Sequence, residues 1–193
     1  VPRVGLTPTL VVSAAADIAD LDGLDALTLA RLAEQLDVRV PSLYKHVNGL
    51  DDLRRELALV GVRELTAIVS SATVGRSGTD ALRALCASYR DYSRRYPGRY
   101  AAMQRAPDHD NPADDELRTA GAELVGLFTK VLRGYNFGDD DAIHATRILR
   151  SALHGFTALE NLGGFGLPQS IDDTFEHLLD VLVSGLTALA EGH

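Results

Sequence analysis

Between Val38 and Val47 the chain sets Arg39, Lys45 and the titratable His46 around Pro41, Ser42 and Tyr44, with no carboxylate among them. Guanidinium, ammonium, imidazole and hydroxyl groups grouped this closely suit phosphate oxygens and base edges, and an aromatic ring suits a phosphate or the thymine methyl. A little upstream, Thr28 and Arg31 stand at the start of another short segment, where a hydroxyl, free backbone N–H groups and a guanidinium hold phosphates. Chemistry of other kinds finds no support. There is no His-Glu-x-x-His, no pairing of Glu-x-x-His segments for a di-metal bundle, no Gly-rich phosphate loop and no Gly-x-Ser-x-Gly elbow. The expectation is a binding protein, not an enzyme, with no catalytic residue, no metal ligands and no cofactor. The single Cys86 has no partner for an internal disulfide, and among Leu82, Leu85 and Tyr89 it reads as a buried structural thiol.

Those residues need elements to hold them. Across 193 residues, 46% hydrophobic and 24% charged, strand-like alternation is nearly absent, and Gly, Pro, Asn and Asp punctuate helical segments. A first helix is expected from Thr7, as N-cap with Pro8 in the favoured first position, to Leu21. Thr28 caps a short second helix, Leu29 to Leu36. Asp37 to Arg39 break the pattern, and a third helix runs from Pro41 to Val47 with Val40, Leu43 and Val47 facing inward. Two short helices joined by three residues after a longer one have the proportions of a helix-turn-helix. From Asp51 a linking helix extends to Ala72. Thr79 caps the next, which ends at Tyr96, and shorter segments follow at Arg99 to Arg105 and Glu116 to Arg133. The last two helices begin at Asp139 and, with Ser170 and Asp173 as a capping-box-like pair, near Ile171. The fold class is all-α with about nine helices: a helix-turn-helix domain over 1–50, continuing into the linking helix 51–72, and a C-terminal helical domain over 73–193.

Net charge is −8, and up to Leu50 four cations, Arg3, Arg31, Arg39 and Lys45, oppose six acids. Bulk attraction to a polyanion is therefore excluded; a short basic element with the acids turned away remains. No apolar run is long enough to span a membrane, and Val1 to Thr9 do not read as a signal peptide, so a cytoplasmic protein is expected.

The stretch Leu27 to Leu36, LTLARLAEQL, followed by VRVPSLYKHV from Val38 to Val47, resembles the DNA-binding module of the tetracycline-repressor-like (TetR) regulators. The resemblance implies a homodimeric repressor of double-stranded DNA, read at a palindromic operator and released by a small-molecule effector. Thr28, Arg31, Arg39, Pro41, Ser42, Tyr44, Lys45 and His46 are its expected DNA contacts. Many relatives carry Lys where Leu50 stands, which implies weaker non-specific DNA binding here. The run Ala152 to Phe156, with Leu159, Glu160 and Gly163 to Gly166, is similar to the ligand-binding domain of a subgroup with a His-Gly pair in its penultimate helix. In such relatives the segments bearing Tyr89, Tyr92, Tyr96, Tyr100, Met103, Phe128, His154 and Phe156 wall an effector cavity, here for an apolar or aromatic, weakly charged compound. The last two helices pair with their symmetry mates as a four-helix bundle, with Leu149, Leu153, Phe175, Leu178, Leu182, Val183 and Leu186 expected at the seam. The alternative reading is a helical small-molecule-binding or scaffold protein without DNA binding.

Overall fold

The computed structural model describes residues 5–191, of Asp139 the backbone only; Arg3 lies outside them. Among the described residues there are nine α-helices and no strand: α1 (Pro8–Asp22), α2 (Leu29–Gln35), α3 (Val40–Leu43), α4 (Leu50–Thr73), α5 (Gly78–Arg95), α6 (Pro97–Ala102), α7 (Asp115–Leu132), α8 (Asp139–Asn161) and α9 (Ile171–Glu191). The caps are chemical. Thr7 Oγ1 accepts the Leu10 N–H, Thr28 Oγ1 that of Arg31 and Ser170 Oγ that of Asp173, each satisfying one amide with no partner in its helix. Thr79 caps nothing, because α5 already begins at Gly78; its hydroxyl shares a hydrogen bond with Tyr135.

Packing divides the chain into two compact units. The first joins the residues up to Arg63 with Arg95–Ala120; the second joins Glu64–Arg94 with the residues from Gly121 onward. The reason is visible at Gly98 in α6. A Cβ there would stand 2.1 Å from the Ala19 carbonyl carbon and 2.5 Å from the Asp20 nitrogen, so only glycine lets α6 rest on the backbone of α1. Asp20 completes the joint: its carboxylate accepts the Arg99 N–H at 2.9 Å, capping α6 from another helix, and lies 3.1 Å from Arg99 Nε. Beneath, Val11, Ala15, Leu27, Leu32, Leu43, Leu53 and Leu57 are fully buried, and each such Leu contributes roughly 1.5–3 kcal/mol of apolar transfer.

In the second unit Leu82, Leu85, Cys86, Tyr92, Phe128, Leu132, Leu149 and Leu153 are buried. Arg90 is buried too, its guanidinium donating to Glu160 at 2.6 and 2.9 Å and to Asp172 at 2.7 Å while lying 4.5 Å from the Phe175 ring centre. It therefore fastens α5 to the end of α8 and the start of α9. Cys86 behaves as expected from its neighbours, since burial pushes its thiol up to about 12. The native protein at pH 8 is expected to stay unlabelled by an aromatic disulfide reagent and to release one thiol equivalent on denaturation; fast native labelling would contradict this packing.

Candidate nucleic-acid interface

The reading element is built by a turn and two anchors. At the end of α2 the N–H of Asp37 donates to the Glu34 carbonyl (3.1 Å) and that of Val38 to the Ala33 carbonyl (2.9 Å), with Asp37 at φ 51°. A short polar side chain tolerates this left-handed conformation, which turns the chain between the two helices. Leu43 and Val47 are then buried against the module, while Val40 is half-buried. Regular α3 is one turn long, and the chain coils on through Tyr44, with the His46 and Val47 N–H groups both donating to the Leu43 carbonyl. The other side chains are left outward. Arg39, Pro41, Lys45 and Tyr44 are exposed, Tyr44 by 57%, and Ser42 and His46 are half-buried. The side chains of Arg39, Tyr44 and Lys45 make no hydrogen bond or ion pair with the described residues. With its ring 57% exposed, Tyr44 is no part of the core.

The two residues expected at the start of α2 fare differently. Thr28 is exposed but committed to its cap, and Arg31 is exposed and ion-paired with Asp22. Other acids near the module are also held by arginines: Asp20 by Arg99, Asp52 by Arg55, and Asp51 by Arg55 and Arg105. The carboxyl of Asp51 lies below the usual carboxylate range, chiefly because Arg105 hydrogen-bonds it. These pairings explain how an acidic segment carries a cationic face. The Arg55 pairs span only three and four residues, whereas Arg99 and Arg105 lie far along the chain from the acids they hold and leave no local pattern.

Comparisons with known proteins agree with this geometry. Residues 82–182 match the family model described as "Tetracyclin repressor-like, C-terminal domain". The chain is 38% identical to the Bacillus subtilis HTH-type transcriptional regulator YobS over 188 residues, 96% of this chain and 95% of that protein. It is 35% identical to the Mycobacterium tuberculosis HTH-type transcriptional regulator Rv0681 over 79% of this chain and 69% of that one. The chain belongs to the TetR-like family of transcription regulators. Its fold is similar to that of a TetR variant from Acinetobacter baumannii AYE crystallised in complex with minocycline, with TM-score 0.73 at 22% identity, covering 96% of this chain and 99% of that one.

For a TetR-like regulator two further regions matter, the expected effector cavity and the expected dimer seam. Of the residues expected at an effector cavity, Tyr89, Tyr92, Phe128 and Phe156 are buried in the second unit, where Tyr89 and Phe128 meet edge to face at 6.1 Å and the Tyr92 hydroxyl donates to Glu64 at 3.0 Å. Phe156 is held among Phe165, Phe175 and the Arg90 guanidinium. Tyr96, Tyr100 and Met103 belong to the first unit. His154 is exposed on α8, one helical step from the buried Leu153, so its side chain does not enter the interior.

Of the residues expected at the seam, Leu149, Leu153, Phe175, Leu182 and Leu186 are buried within the single chain and so have little surface left for a second copy; Leu178 and Val183 are half-buried. Part of the apolar surface still uncovered lies on a flank of each core stripe. Along that flank α8 carries Ile148, Ala152, Gly155 and Leu159, and α9 carries Leu178, Val181, Gly185 and Ala188, while Ile143 and Leu189 are exposed outside these rows. Both sets repeat at alternating steps of four and three, the spacing of a helix seam.

Proposed function

We propose that this chain is a ligand-responsive repressor that binds a palindromic operator as a homodimer and is released by a small molecule. The observation that carries it is the outward, unpaired Arg39, Tyr44 and Lys45 on an element whose Leu43 and Val47 are buried. With Thr28, Arg31, Pro41, Ser42 and His46 they form the face that enters the major groove, and dimerisation places two such faces one helical turn apart. The vacant stripes on α8 and α9 are the seam. Gly155 and Gly185 support this: both sit inside helices, where glycine costs roughly 0.5–1 kcal/mol relative to alanine, and a Cβ at either would meet nothing within 4 Å in the single chain. A neighbour approaching from outside gives them a reason. The A. baumannii protein's complex with minocycline supports a small-molecule effector here as well, apolar or aromatic and weakly charged as the sequence suggests, with Tyr89, Tyr92 and Phe128 among the residues that would meet it. A family of transcription regulators is not a class of enzymes, and no helix of the described residues is long and apolar enough to cross a membrane; the reading is of a cytoplasmic binding protein.

The test is selection of an operator from a random-sequence duplex library by the full chain, followed by gel shift at two salt concentrations. Tyr44→Ala and Lys45→Ala should each weaken operator binding by about tenfold, a cost within the usual 1–3 kcal/mol of a specific DNA contact, while dimer and melting temperature stay unchanged. Parallel losses in folding would make these residues core. If the wild-type chain retards no duplex at either salt concentration, the scaffold reading stands instead.

A further inference from the structure

The turn that ends the reading element is tied to a distant part of the chain by charged side chains. Asn48 directly follows Val47, and both its backbone N–H and its side-chain amide donate to Asp52 Oδ2, at 2.8 and 3.3 Å. The other oxygen of Asp52 accepts from Arg55 at 2.7 Å. Arg55 is itself buried and spreads its fork over three carboxylates: one terminal nitrogen on Asp52, the other on Asp51 at 3.4 Å, and Nε on Asp114 Oδ1 at 2.5 Å. Asp114 ends the turn that leads into α7 and is fully buried. Its second oxygen accepts the Asp108 N–H at 2.7 Å and lies 3.8 Å from Arg105, which in turn donates to Asp51 at 2.5 Å. The Asp108 amide, with Arg55 and Arg105 adding, holds the Asp114 carboxyl below the ordinary carboxylate range, so the charge persists at neutral pH.

We propose that Asp114 and Arg55 are positioning residues for DNA recognition, forming a relay from the segment between α6 and α7 to the turn at Asn48 that fixes where the reading element ends. The inference rests on the reading of the N-terminal module as a DNA reader. A buried ion pair is a poor source of stability compared with apolar packing, but it holds a single geometry, because a displaced partner leaves a charge without compensation. Every oxygen of Asp52 and Asp114 is used, and each bond has a fixed direction. A lysine at position 55 keeps the charge and loses the fork, so it reaches one carboxylate where arginine reaches three. The reading element, only one regular turn long, has little rigidity of its own. Its buried Leu43 and Val47 fix it from below, and the relay fixes its far end.

The experiment compares two affinities of the full-length dimer: for an operator selected by the wild-type chain from a random library, and for a duplex of scrambled sequence and equal length. Base readout needs the element in register, whereas attraction to phosphates tolerates displacement. Arg55→Lys, which conserves charge, and Asp114→Asn, which conserves shape, are each expected to lose about tenfold in operator affinity with no fall in scrambled-duplex affinity, within the range by which residues remote from a ligand modulate its binding. Operator binding equal to wild type in both variants overturns the proposal. So does a parallel fall for both duplexes, which means loss of the folded module. Should Asp114→Asn not fold, Arg55→Lys decides alone. A wild-type chain that selects no duplex removes the DNA-binding reading together with the relay; a wild-type chain that binds, with indifferent variants, removes only the relay.

Discussion

Gly98→Ala is expected to lower the melting temperature by about 10 °C and to weaken operator binding further than that loss alone explains. One methyl group is added, yet the added carbon meets backbone, not the flexible end of a side chain: the carbonyl carbon and oxygen of Ala19 at 2.1 and 2.2 Å and the nitrogen of Asp20 at 2.5 Å. No rotamer change relieves such contacts. Either α6 lifts away from α1 or α1 bends, and in both cases the bond from the Arg99 N–H to Asp20 is lost. Overpacking of this kind costs about 3 kcal/mol, and for a chain of this size each kcal/mol shifts the midpoint by roughly 2–4 °C. Because α1 braces the reading module, operator affinity falls as well. Gly126→Ala is the control: in α7 a Cβ meets nothing within 4 Å, so the same substitution is expected to stabilise slightly. Thermal unfolding followed by circular dichroism distinguishes the two signs, and a Gly98→Ala variant that melts with the wild type would falsify the close contact of α6 with α1.

What could be read from the residue string follows from the range of each interaction. The caps at Thr7, Thr28 and Ser170 act over three residues, and all three are made. The inward positions Leu43 and Val47 were legible because they follow a helical period set by neighbours. Thr79 misled because a polar residue near a helix start is no cap when the helix begins one residue earlier. Interactions between distant segments leave no periodic trace. Arg55 and Asp114 are 59 positions apart, Arg90 and Glu160 70, and nothing in either neighbourhood marks one as the other's partner. The same limit explains the two-unit division, since the glycine that joins α6 to α1 looks in sequence like a helix terminator after Pro97.

The proposed seam shows a different limit, and the variant pair Val181→Glu and Leu182→Glu separates its two sides. Periodicity identifies apolar positions on α9, but a helix wedged between its own core and a partner has two apolar flanks, and the pattern does not say which flank meets which. Leu182 lies inside the chain, whereas its neighbour Val181 is 69% exposed. Glutamate at 182 puts an unpaired carboxylate into the core of the single chain and is expected to unfold it. Glutamate at 181 leaves the single chain intact. In a twofold dimer, however, one substitution enters the interface twice, so two carboxylates lose water with no cation opposite. At about 2 kcal/mol each, the pair weakens association roughly a thousandfold. Sedimentation of Val181→Glu at micromolar concentration should then show a folded monomer with unchanged helix content. An intact Val181→Glu dimer would place the seam elsewhere, and a folded monomeric Leu182→Glu would return it to the flank now assigned to the core.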